Sequence, residues 1–174
     1  MSDLAWFHVT FSTFGAWLPG DERGFRSHDH RIHSSGHYKD PPPLAEHRGL
    51  RRWVRENMHK PPVTLTFEQR HTAGESLLRK FWGRNIEVIA LAVCGQHVHV
   101  LARLPLDGFE QEIGHAKRAA SLALTREIPG ALWGRRCQPK QIRDREHQKE
   151  AFGYITDHAH EGAWVWTFRD PLPT

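Results

Sequence analysis

Residues 86–105 read "IEVIALAVCGQHVHVLARLP", two apolar runs separated only by Gly95 and Gln96. The first run, "IEVIALAVC" (86–94), is continuously apolar and rich in β-branched residues, which predicts a buried strand. The second, "HVHVLARLP" (97–105), predicts another, and the two-residue gap predicts a tight antiparallel turn. In a strand, residues i and i+2 share a face, so His97 and His99 stand side by side while Val98 and Val100 point into the core. Two half-buried histidines, each hydrogen-bonded to a neighbour, would satisfy that pattern, and so would a pair of metal ligands.

The flanking sequence supplies the partners of this hairpin. "WFHVTFSTFG" (6–15) is β-branched and aromatic and predicts a first strand. The stretch 18–43 is rich in Gly, Pro, Asp and Ser and predicts a long loop. It carries His28, His30, His33 and His37, which read either as a solvated polar loop or as a metal-binding tract. A short basic helix is expected over 43–58, ended by "PPV". Thr66 and Gln69 form a candidate capping box for a helix over 67–82, with Leu77, Leu78, Phe81 and Trp82 on its apolar face. Ile113, Ala116, Ala120 and Leu124 set a helical register over 108–128. Another strand is expected near the end of 131–144, a helix over 145–162, and an extended aromatic tail after it. Strand, helix, strand–turn–strand, helix, strand is the order of the split β-α-β ferredoxin-like arrangement, here with a further helix appended. The expected class is therefore α+β, an antiparallel sheet in a single domain over 1–174, with a polar loop insertion at about 19–43.

Bulk properties narrow the function. No run of 18 apolar residues exists, so no membrane span is expected, and "MSDLAWFHVTFSTFG" lacks the basic start and apolar stretch of a secretory signal. Cys94 and Cys137 are too few for a disulfide framework and lack zinc-motif spacing, which suits reduced thiols in the cytoplasm. A net charge of +4 and a pI near 9.4 suit a partner bearing phosphates.

On the last expected helix, Tyr154 and His158 are four residues apart and share a face. A third imidazole beside a phenol, brought to the strand pair, would make a divalent-metal site with an adjacent nucleophile. Here the chain resembles a known family. "QHVHVLARLP" resembles the histidine–hydrophobic–histidine motif of the single-tyrosine HUH endonucleases. "LWGRRCQPKQIRDREHQKEAFGYITDHAHEGAW" resembles the C-terminal segment of their REP-associated tyrosine transposases, and "HVTFSTFGAWLPGDERG" their first strand and following loop.

The resemblance implies a metal-dependent transposase or endonuclease acting on single-stranded or hairpin DNA through a covalent 5′-phosphotyrosine. Tyr154 matches the nucleophile, His97 and His99 the two motif ligands, and His158 the polar residue that completes the metal site. The family commonly has Asn or Gln there. The implied cofactor is a divalent ion, Mg²⁺ or Mn²⁺, and histidine at the third position shifts preference toward softer ions. Relatives include homodimers that exchange the tyrosine helix, which leaves a dimer open. Arg135, Arg136, Lys140 and Arg143 form a basic cluster suited to DNA phosphates, and Lys117 and Arg118 are candidates on the preceding helix. Trp17 and Arg23 read equally as DNA contacts or as turn residues, and Gln96 as a turn residue or a group orienting a ligand histidine. Two other readings stand beside this one: a DNA-hairpin-binding protein of the same fold that does not cut, and a protein whose imidazoles hold zinc structurally.

Overall fold

The computed structural model describes residues 3–19, 21 and 46–171. The expected histidine tract at His28, His30, His33 and His37, together with Arg23 and Tyr38, lies outside the described residues. The described elements are β1 (Leu4–Ser12), α1 (Arg48–Glu56), α2 (Phe67–Trp82), β2 (Glu87–Val93), β3 (His97–Pro105), α3 (Phe109–Ala123), β4 (Gln138–Gln141), α4 (Arg145–Asp157), a 3₁₀ turn (His158–Glu161) and β5 (Trp164–Thr167).

They form an α+β fold whose sheet is antiparallel throughout, in the order β4-β1-β3-β2-β5. The first four strands in that order are the arrangement a split β-α-β sequence produces. β5 was expected only as an extended tail; it pairs with β2 from Ala90↔Thr167 to Val93↔Trp164 and extends the sheet beyond the expected edge.

Two compact units are distinguished, Met1–Thr13 with Thr64–Thr174, and Phe14–Val63. The second holds α1, which buries none of its side chains and leaves Trp53 exposed. Its ends are drawn together by the Val63 N–H, which donates to the Phe14 carbonyl at 2.8 Å. Gly15, at φ +72°, lies where a Cβ would come 2.9 Å from Pro62 Cα, so both its backbone angle and its surroundings call for glycine.

In the first unit the sheet is covered on both faces. Phe7, Val9 and Phe11 of β1 lie cross-strand from Ala102, Val100 and Val98 of β3. This face meets α3, where Phe7 stacks on Phe109 at 5.4 Å. The opposite face carries Ala90, Ala92 and Leu101, buried against Ala151 and Ile155 of α4. Coverage on both sides explains why β2 and β3 lack polar alternation at their centres. The capping box at the start of α2 is present: Gln69 N–H donates to Thr66 Oγ1, and Thr66 N–H donates to Gln69 Oε1. α3 is preceded by Gly108 at its N-cap, whose φ of +93° suits glycine, and ends at Ala123, short of the expected 128.

Candidate active site

The β2–β3 turn sets the first two imidazoles. Cys94 N–H donates to the His97 carbonyl at 2.8 Å, closing a connection of only Gly95 and Gln96. The Gln96 carbonyl accepts from Thr13 N–H, and the Gly95 carbonyl from Leu65 N–H, so the turn is held from two sides. From there His97 and His99 project onto the α4 face, with ring centroids 5.0 Å apart.

α4 brings the other two groups. Asp144 caps its start, accepting from His147 N–H at 2.8 Å. Tyr154 stands on its last turn and His158 at its C-cap. The His158 ring lies 4.6 Å from His99 and 5.7 Å from His97, centroid to centroid. The Tyr154 ring lies 4.9 Å from His158 and 5.3 Å from His99. The four residues singled out on sequence grounds therefore converge, although they come from positions more than fifty residues apart in the chain.

Hydrogen bonding limits which nitrogens can ligate. His158 Nδ1 lies 2.8 Å from the Tyr154 carbonyl. A carbonyl can only accept, so Nδ1 carries a proton and Nε2 is the nitrogen left to ligate. His99 Nδ1 lies 3.0 Å from both His8 Nε2 and Thr10 Oγ1. Ligation through His99 Nε2 requires a proton on Nδ1, and both neighbours are able to accept it. Burial, reinforced by His158, His97 and His8, pushes His99 down to about 3. Burial, followed by the charge of Lys140, pushes His8 down to about 4. Both rings are neutral at pH 7, the form a metal ligand needs.

His8 and Cys94 were not singled out for the site on sequence grounds. His8 shares a face of β1 with Thr10, which lies directly opposite His99. The signal was the alternation of buried Phe7, Val9 and Phe11 with polar positions between them. Cys94 offers a ligand atom that, with one each from His97 and His158, forms a set lying within 4.8 Å of one another. Its signal was a Cys-x-x-His spacing across a tight hairpin turn. The donor set thus fits a divalent ion: imidazole nitrogens, with a thiol at one side.

Beside Tyr154 opens a cavity of about 600 Å³, bounded by His8, His99, Lys140, His147 and Glu150. Lys140 lies cross-strand from His8, so it places positive charge at this opening. Arg135, Arg136 and Arg143 are exposed on the segment that runs through β4 into α4. Lys117 and Arg118 belong instead to the α3 side. Lys117 is half-buried, donates to the Gly134 carbonyl at 2.5 Å, and lies over the Phe11 ring. Burial holds its pKa below the usual lysine range. Arg118 is exposed and borders a separate hollow with Lys80 and His115. Neither is brought to Tyr154.

No family model matches the sequence, and no curated protein matches it. Among solved structures, the fold is similar to that of a REP-associated tyrosine transposase bound to a REP hairpin. The TM-score is 0.52 at 14% sequence identity, covering 91% of this chain and 68% of that one. At that identity the likeness speaks for the fold. No helix among the described residues is long and apolar enough to cross a membrane.

Proposed function

We propose that this chain cuts and rejoins single-stranded or hairpin DNA, with Tyr154 as nucleophile beside a divalent ion held by His97, His99 and His158. One observation carries the reading: α4 brings a tyrosine and a histidine onto the same sheet face as a strand histidine pair. The fold likeness to a transposase bound to a hairpin supports the choice of substrate class.

The chemistry follows from the residues. When bound, a divalent ion polarises a phosphodiester and offsets the charge that develops at phosphorus. Tyr154 attacks phosphorus, its Oη–P bond forms, and the bond from phosphorus to the 3′ oxygen breaks. The proton lost by the phenol is balanced by the one the departing 3′ oxygen gains. The phosphotyrosine retains the energy of the broken bond, so the reverse step rejoins a strand without ATP. Tyr154 is 54% exposed, so its hydroxyl is accessible to a strand lying along the cavity. Lys140, at the same opening, is placed to hold a flanking phosphate.

The test is incubation of the protein with 3′-labelled hairpin DNA and Mg²⁺ or Mn²⁺. The expected result is a labelled protein adduct that survives denaturing electrophoresis. Cleavage with no adduct at any time would assign attack to water and remove Tyr154 from the role. Hairpin binding with no cleavage under any metal would favour a non-cutting hairpin binder.

A further inference from the structure

We propose that Cys94 is a metal ligand, so that Cys94, His97 and His158 form a thiolate-containing three-ligand centre that selects zinc- or cobalt-type ions over Mg²⁺. This rests on the reading above and revises one ligand in it: Cys94 takes the place given there to His99, which in turn names the class of ion the site prefers.

The geometry of the turn carries the inference. Cys94 and His97 flank Gly95 and Gln96 and are joined by a backbone hydrogen bond, which sets their side chains on one face of the hairpin. His158 reaches the same place from the end of α4, with its Nε2 free because Nδ1 is committed to the Tyr154 carbonyl. One ligand atom from each residue lies within 4.8 Å of the other two. Tetrahedral zinc, with bonds of about 2.0–2.3 Å, spaces its ligand atoms roughly 3.5 Å apart, so binding needs closure of about an ångström.

The backbones on both sides of the cluster are held by one side chain. Arg70 of α2 donates through Nη1 to the Gly162 carbonyl at 2.6 Å and through Nε to the Leu65 carbonyl at 3.1 Å. Leu65 N–H in turn holds the Gly95 carbonyl, and Gly162 follows the turn that bears His158. The backbones that carry the ligands are thus tied to one side chain, and the remaining closure falls to the ligand side chains.

The donor types then decide the ion. A thiolate with two imidazoles is a soft set that suits zinc and cobalt, whereas Mg²⁺ prefers oxygen ligands and keeps its waters. Three protein ligands leave a fourth position open, as in catalytic rather than structural zinc sites. His99, whose Nδ1 is engaged by His8 and Thr10, stands beside the centre as its neighbour.

Cobalt titration tests this in the full chain carrying Cys137→Ser, which leaves Cys94 as the single thiol. One equivalent of Co²⁺ should give a thiolate-to-cobalt charge-transfer band with the intense visible absorption of a tetrahedral site. Adding Cys94→Ser should abolish the band and weaken Zn²⁺ binding by roughly a hundredfold or more, beyond the usual cost of losing an outer-shell partner. His99→Ala should keep the band. No charge-transfer band in the Cys137→Ser protein overturns the proposal, and that result needs no second variant to fold. Equal Zn²⁺ affinity with and without Cys94 also overturns it. Mg²⁺-supported cleavage that is the same in Cys94→Ser, with no cobalt band, overturns the thiolate centre and leaves the DNA-cutting reading intact. A cobalt band lost with Cys94, in a protein that forms no DNA adduct, upholds the centre and removes the DNA-cutting reading.

Discussion

Tyr154 is held in two ways that separate its chemistry from its packing. Its backbone carbonyl accepts from His158 Nδ1, and its ring leans on His99 and His158. Tyr154→Phe keeps both and removes one oxygen. Metal uptake and hairpin affinity should be unchanged while the covalent adduct disappears; an adduct in the Phe variant would show that another residue attacks. The buried imidazoles make a second prediction. His99 and His8 titrate near 3 and near 4 in the folded chain, against about 6.5 when unfolded. Between these values the unfolded chain binds more protons than the folded one, so stability is fully present above pH 6.5 and is lost as pH falls toward 3. With chelator present, the denaturation midpoint should drop across that window, and His8→Asn should flatten the drop. A midpoint as steep in the variant as in the wild type would show that other groups carry the acid sensitivity. The histidine pair and the Tyr154–His158 spacing were legible in sequence because the first lies within one strand and the second spans one turn at the end of α4. His8 and Cys94 were not, because their importance depends on which strand lies opposite and on how a turn closes.

At the scale of elements, local signals were the clearest. The Thr66–Gln69 box marks the start of α2, and the two-residue gap marks the β2–β3 turn, because both are settled by neighbours in sequence. β5 was legible only as an extended tail, since its register depends on pairing with β2 and on a contact that no local pattern encodes. That contact is Gly74 of α2, where a Cβ would stand 2.1 Å from two atoms of the Trp164 ring. β5 can approach α2 so closely only because residue 74 has no side chain. Gly74→Ala should therefore destabilise the protein despite alanine's better helix propensity, by about 1–3 kcal/mol of overpacking. A lowering of the thermal midpoint by several degrees is expected. A midpoint that rises would mean that Trp164 turns away at no cost, and that the close approach is not needed for β5 to pair.

For the molecule as a whole, charge placement matters more than the net value of +4. The cations weighed on sequence grounds separate in space. Lys117 is committed to the Gly134 carbonyl, and Arg118 lies with α3, on the face of the sheet opposite the histidines. Sequence could not separate them from the others, because a helix position carries no record of which side of a sheet it will cover. Lys140 borders the cavity beside Tyr154, and Arg135, Arg136 and Arg143 are exposed along the same connection into α4. If a single strand runs along that segment, its phosphates should be neutralised there, and binding should weaken with salt by a log–log slope of about 0.7 per contact. Replacing Arg135, Arg136 and Arg143 together by Gln should lower the slope by about 2 if all three make contacts. Arg118→Gln should leave it unchanged. Hairpin DNA with an unpaired flank should bind more tightly than duplex at every salt concentration, because Tyr154 needs a strand it can approach at phosphorus. Equal affinity for hairpin and duplex across the series, or a slope that falls only when Arg118 is replaced, would place the nucleic-acid path on another face of the molecule.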